Sequence, residues 1–188
     1  MTPEQAIAII KKYYPEDGIA YNYLYNHSVA VAQLAVKIAE AHTELDPDIE
    51  FVHTSALLHD IGIFMTHSPG IGCHGEHPYL AHGYLGRKLL EKEGFPEHAL
   101  VCERHVGVGI SQEDVINNEL PLPKRDMMPV SVEEEIVCYA DKFFSKNADK
   151  LFIAKSPEKI LKKLEKHGPD KPGIFRWYME KYGIPQSG

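Results

Sequence analysis

The stretch DIEFVHTSALLHDIG, residues 48–62, decides the fold. Its apolar residues recur at helical spacing, Asp48 or Asp46 stands near its start, and Gly62 reads as the C-cap that stops the helix. Just before that glycine, His59 and Asp60 stand side by side behind Leu57 and Leu58. An apolar helix gains nothing from two such polar side chains unless they find partners in the interior.

Helical patterning continues on both sides. Residues 2–14 open with Thr2 as N-cap, Pro3 at the first helical position and Gln5 completing a capping box. A second helix runs through residues 26–42. Glycines and a proline break the pattern over residues 64–77, which reads as a long loop. Helix resumes over 78–94 and, in shorter pieces, over 96–107 and 111–119, followed by a proline-rich loop at 120–130. The helix over 131–146 opens with Ser131 and Glu134 at capping-box spacing. Amphipathic helices over 156–168 and 174–183 close the pattern. No convincing period-2 strand is present, so the expected class is all-α. The length favours one domain over residues 1–188, with a core at about 20–150 and the helices of 156–183 packed on it.

The net charge of −7 argues against broad binding to the backbone of duplex nucleic acid. A small anionic ligand stays open, because a bound metal inverts the local charge of a pocket. The 3 cysteines are odd in number and widely spaced, which argues against a disulfide framework. There is no basic region followed by a long apolar stretch at the N-terminus, and no apolar run of bilayer length. The expectation is a cytoplasmic protein without a membrane partner; the oligomeric state is left open.

Helical spacing puts His27, His59, Asp60, His82, His105 and Asp141 on apolar stripes spread over five helices. Taken singly, each has a plain structural reading: a core histidine with a satisfied hydrogen bond, a salt-bridge partner for Asp141, a helix cap for Asp60. As a set they read differently. Buried carboxylates must be paired or bind metal, and these stripes carry no Lys or Arg. Four imidazoles and two carboxylates suit Zn, Fe, Mn or Ni better than Ca or Mg.

The order His27, His59-Asp60, Asp141 resembles the H…HD…D signature of the HD-domain superfamily, and HDIG is one of its common local forms. His82 in AHGYLG and His105 in ERHVGVGIS resemble the two extra histidines of its dinuclear branch. The resemblance covers roughly residues 25–146. It implies a helical bundle with a metal site between its core helices. One divalent transition-metal ion would take His27, His59, Asp60 and Asp141, and a second would take His82 and His105 with Asp60 bridging. It further implies a phosphohydrolase that uses metal-activated water on a small phosphate ester, such as a nucleotide, with Asp60 catalytic. The alternatives are a dinuclear-iron oxygenase, which the histidine spacing suits equally, and a non-catalytic metabolite-binding module. Several HDIG enzymes carry Lys after the glycine, where this chain has Ile63, and the GYP motif is missing; both departures argue against cyclic-dinucleotide hydrolysis.

Arg104, Lys142 and Lys146 are candidate partners for phosphoryl oxygens, with a solvated helix face as the competing reading, since a helical neighbour of a buried ligand points well away from it. His53, one turn before the HD pair, and His77 in the 66–78 loop are candidate contacts of substrate or metal ligands. The loops at 66–78 and 120–130 are candidate rims for the pocket.

Overall fold

The computed structural model describes residues 1–145 and 154–185. Within them the protein is all-α: α1 (Pro3–Tyr13), α2 (Ile19–Ala41), α3 (Ile49–Leu58), α4 (His82–Lys92), α5 (Pro96–Arg104), α6 (Gln112–Asn117), α7 (Val132–Phe143), α8 (Pro157–Leu164) and α9 (Lys171–Tyr182). The sheet content is a ribbon of two-residue strands, β1 (His67–Ser68) and β2 (Cys73–His74), antiparallel with His67 opposite His74. Helices α2, α3, α5 and α7 pack on one another, α4 lies along α5, α1 covers α3, and α8 and α9 lie on α7.

Several helix starts follow from local chemistry. The Thr2–Gln5 capping box forms, and the Asp48 side chain accepts from the Phe51 amide. Ser131 accepts from the Glu134 amide, but Glu134 Oε2 accepts from Val130 N (2.7 Å) rather than returning to Ser131. The second helix begins at Ile19, seven residues before the sequence pattern suggests, so Tyr21, Tyr23 and Tyr25 lie inside it. The Tyr21 and Tyr25 rings stack at 5.4 Å, an i, i+4 contact that replaces the missing apolar periodicity.

Helix α3 ends at Leu58, earlier than expected. His59 keeps helical angles as its C-cap, and Asp60 (φ −104°, ψ 8°) leaves the helix for a 3₁₀ turn over Ile61–Met65. Tyr14 clamps this turn: its buried hydroxyl donates to Ile61 O and accepts from Phe64 N, both at 2.9 Å. Gly62 therefore does not cap α3. It lies in the 3₁₀ turn because α4 leaves no room for a side chain. A Cβ there would stand 2.2 Å from His82 O and 2.5 Å from Gly86 N. Gly86 is equally confined, its Cβ position lying 2.3 Å from Cys102 Sγ, and that of Gly83 lies 2.7 Å from Cys102 O. Three glycines thus bring the turn after Asp60, α4 and α5 together backbone against backbone.

The core around these contacts is apolar. Leu58, Ile61, Leu90, Ile136 and Tyr139 are fully buried, and full burial of an aliphatic side chain stabilises by about 1.5–3 kcal/mol. Phe175 and Tyr178 of α9 pack on Tyr139 with ring centroids at 5.4 and 5.8 Å, which fastens the C-terminal helices to α7. The three cysteines are free and buried. Among the described residues, no helix is long and apolar enough to cross a membrane.

Gly62→Ala must push the 3₁₀ turn off α4. The expected loss is about 1–3 kcal/mol, with a lower urea midpoint at an unchanged m-value. A midpoint equal to that of the wild type would show that α4 yields at no cost.

Candidate metal centre

Six side chains converge where α2, α3, α4, α5 and α7 meet. His27 comes from α2, His59 from the C-cap of α3 and Asp60 from the residue that follows. His82 is the first residue of α4, His105 the C-cap of α5, and Asp141 lies near the end of α7. Three of the ligand-type residues thus stand at or just beyond helix C-termini rather than on helix stripes. The last-turn carbonyls of α3 and α5 give that region a negative potential that favours a cation.

One device repeats three times. The ring nitrogen Nδ1 of His59 donates to Ala56 O (2.7 Å), that of His82 to Tyr79 O (2.6 Å) and that of His105 to Cys102 O (2.7 Å). A carbonyl only accepts, so each Nδ1 carries hydrogen, and the Nε2 of each neutral ring presents a lone pair. Those lone pairs face one another and the carboxylates. His82 Nε2 lies 3.2 Å from His105 Nε2, and the two stand 3.2 and 3.4 Å from Asp60 Oδ1. On the other side, His59 Nε2 lies 3.3 Å from His27 Nε2, with Asp60 Oδ2 at 3.2 and 3.3 Å from the pair. Asp141 Oδ1 closes this second group at 2.9 Å from His27 Nε2 and 3.5 Å from His59 Nε2.

Two lone pairs at such distances repel unless a proton or a metal cation lies between them. Ligand atoms about 2.0–2.2 Å from a single transition-metal ion stand roughly 2.9–3.5 Å apart at tetrahedral to octahedral angles. The observed spacings fall in that range. The ligand atoms form two groups, each within 4.8 Å: His27, His59, Asp60 and Asp141, and Asp60, His82 and His105. Asp60 belongs to both, one oxygen toward each. The residues present therefore fit divalent metal by spacing and by donor chemistry.

Burial sharpens the electrostatics. His59 and Asp60 are wholly inaccessible, and His27, His82 and His105 nearly so. Burial disfavours the His59 imidazolium, but the Asp60 and Asp141 carboxylates outweigh it and push the pKa up to about 9. Burial pushes His105 down to about 3, with the Asp60 carboxylate only partly offsetting it. Outside the six, Cys102 Sγ donates to His59 O (2.9 Å), and Cys138 Sγ to His105 O (3.5 Å).

The group opens into a cavity of about 630 Å³, lined on the centre's side by His27, His82, His105, Asp141 and Lys142. Lys142 does not point away from its helical neighbour: its Nζ donates to Asp141 Oδ2 (2.7 Å) and to His105 O (3.1 Å). Arg104 lies elsewhere, paired with Glu134 (2.6 Å) between α5 and α7. His53 is half-buried and close enough to Glu4 of α1 to act on its charge. His77 is exposed, its carbonyl accepting from His67 N. None of these three lines the cavity, nor does any residue of the 66–78 loop; of the 120–130 loop, Leu120 does. Ile63, at the position that differs from several HDIG enzymes, is buried in the core. Lys146 lies outside the described residues. Sequence reading passes over four cavity lysines, Lys155, Lys163, Lys166 and Lys171; the only signal for the last three is the basic density of KKLEKHGPDK, residues 162–171.

Comparison with known proteins agrees with this geometry. The family model for the HD domain matches residues 24–145, and the chain belongs to that family. It is 35% identical over 179 residues to an uncharacterized protein of Methanocaldococcus jannaschii, covering 92% of this chain and 90% of that one. It is 36% identical over 127 residues to the tRNA (cytidine(56)-2′-O)-methyltransferase of Thermoplasma volcanium, covering 67% of this chain but 33% of that protein. Among solved structures, the HD domain of the L. monocytogenes phosphodiesterase PgpH has the same fold, with a TM-score of 0.52 at 16% identity, covering 91% of this chain and 93% of that one. The same domain solved with cyclic-di-AMP has the same score and identity, covering 98% and 100%.

Asp60→Ala should release metal from both groups at once, because each loses its shared carboxylate. Elemental analysis of purified, folded protein checks this, and wild-type metal content in the variant would remove Asp60 from the ligand set.

Proposed function

We propose that the protein is a metal-dependent phosphohydrolase acting on a small phosphate ester, with nucleotides the leading class. His27, His59, Asp60, His82, His105 and Asp141 would hold two divalent ions of Fe, Mn, Zn or Ni. The observation that carries this reading is the position of the six donors, which converge at one end of a 630 Å³ cavity with Lys142 beside them. A cavity of that size matches small-molecule sites, commonly about 300–1,000 Å³.

When bound, divalent cations supply Lewis acidity and lower the pKa of a coordinated water. The chain's own residues supply the rest. The three backbone carbonyls hold the imidazoles in one tautomer, so that Nε2 rather than Nδ1 faces the centre. Asp60 reaches both groups and orients them about a common point. Lys142 Nζ, held by Asp141 Oδ2 and His105 O, is placed to donate to a phosphoryl oxygen and offset charge as the bond to phosphorus breaks. The apolar cavity residues Val108, Ile110 and Leu120 would exclude bulk water from part of the substrate.

Membership of the HD-domain family and the phosphodiesterase named among its structural neighbours support the reaction class. The cationic lining favours it over oxygen chemistry, which the donor set alone would equally serve. Packing of α8 and α9 on α7, beside a cavity to which they contribute, supports reading the chain as one domain.

The test is turnover without oxygen. Metal-loaded protein is expected to release inorganic phosphate from a panel of phosphate esters under anaerobic conditions, and a chelator is expected to stop it. Activity that requires ferrous iron and consumes oxygen would assign the centre to an oxygenase instead.

A further inference from the structure

The half of the cavity that faces the metal ligands comes from the segment matched by the HD family, residues 24–145. Another part of its wall comes from residues 155–171, outside that segment, and it is basic: Lys155, Lys163, Lys166, His167 and Lys171 all line the cavity. In a chain of net charge −7, that concentration needs a cause.

Two of these lysines have structural work. Lys155 Nζ donates to Lys142 O (3.2 Å) and to Phe144 O, tying the wall to the end of α7. Lys171 is buried and pairs with Asp114 Oδ2 (2.5 Å) and Asp170 Oδ2 (3.1 Å). Lys163 and Lys166 are exposed and make no ion pair with a described residue. They lie three residues apart at the end of α8 and both line the cavity, so their like charges share one wall. The helix dipole accounts for Lys162 and Lys163 in the last turn of α8, but Lys166 lies beyond the helix end. His167 feels the same field: burial and then the charges of Lys163, Lys166 and Lys142 hold its pKa below the usual value. The only other carboxylate lining the cavity besides Asp141 is Asp114, already occupied by Lys171 among the described residues.

We propose that Lys163 and Lys166 form a second anion subsite, and that the substrate carries a second phosphoryl group remote from the one at the metal centre. The substrate class is a small bisphosphorylated molecule rather than a simple monoester. This rests on the phosphohydrolase reading for the identity of the first subsite. Lys142 attends the scissile group beside Asp141, while Lys163 and Lys166 hold the far group and set its distance. Selection of substrate then lies in the C-terminal helices, apart from the residues that define the family.

The probes are alkane-1,ω-bisphosphonates of increasing chain length, with methylphosphonate as the single-anion reference. Their P–C bonds resist hydrolysis, so binding is read without turnover. Isothermal titration of the metal-loaded wild type is expected to show an optimum at an intermediate length, at least about tenfold tighter than methylphosphonate, the gain expected from one charge-assisted contact. The shortest member can gain over methylphosphonate only by chelating metal, so its affinity should not depend on Lys163 and Lys166. Lys163→Ala combined with Lys166→Ala should abolish the optimum and leave methylphosphonate binding unchanged, and Lys→Arg at both positions should restore it. Both side chains are exposed, so the variant should fold, which its thermal midpoint checks. No length optimum, an optimum that survives the double variant, or an equal loss for mono- and bisphosphonate would each overturn the subsite. Failure of anaerobic phosphate release with the lysine-dependent optimum intact would overturn the hydrolase reading alone.

Discussion

The candidate metal centre depends on three backbone carbonyls. Ala56, Tyr79 and Cys102 each accept a hydrogen bond from the imidazole three residues later. Those of Ala56 and Cys102 lie in last turns, where no helix continues to engage them, and that of Tyr79 lies in the 3₁₀ turn that leads into α4 and also accepts the His82 amide. One interaction therefore finishes a helical turn, fixes a tautomer and aims a lone pair. The site needs no separate layer of side chains to orient His59, His82 and His105, because the backbone does it. This explains why His59 and His105 stand at helix ends: a histidine in mid-helix would find its i−3 carbonyl less available, engaged by the helix's own amide ladder.

Convergence on Asp60 needs the helix ends to be close, and the glycines permit that. Gly62, Gly83 and Gly86 let the turn after Asp60, α4 and α5 approach at distances where any Cβ would collide with backbone or with Cys102. Tyr14 holds the other side of the turn through two backbone hydrogen bonds. The arrangement concentrates the Asp60 carboxylate and four imidazoles in nearly inaccessible space, with Asp141 half-buried beside them, at a cost in desolvation. Cation binding would offset that cost, and occupancy of the centre and stability of the surrounding helices would then be thermodynamically linked. The packing that makes the centre possible thus also makes the fold sensitive to its contents.

Much of this was legible in the sequence, because polar residues of ligand type on otherwise apolar helices are conspicuous. The all-α class and the six ligand-type residues follow from that kind of contrast; the Thr2 cap follows from its capping-box spacing, while the choice of Asp48 over Asp46 needed the structure. Other features carry no local signal. Gly62 looks like a helix stop, yet its role is set by α4, twenty residues further on. The early start of α2 rests on a Tyr21–Tyr25 stack that hydrophobic periodicity does not register. Sequence adjacency to a ligand is a poor guide to placement: Lys142 folds back on Asp141, whereas Arg104, next to His105, turns to Glu134. The lysines of residues 155–171 read as an ordinary amphipathic surface until the packing of α8 and α9 on α7 brings them to the cavity.

That packing separates two tasks along the chain. The HD segment brings together the donors whose chemistry any member with the same set could share. The C-terminal helices change only the charge and shape of the space in front of those donors. An acidic protein would ordinarily repel a multiply charged anion, and long-range attraction is weak beyond a Debye length of about 8–10 Å. A basic wall that lines the cavity acts at short range, within a screening length of the bound group, where the net charge of the rest of the surface counts for less. The net charge of the chain therefore says little about its ligand; the sign of the charge that lines the cavity, and the distance from it to Asp60, say more.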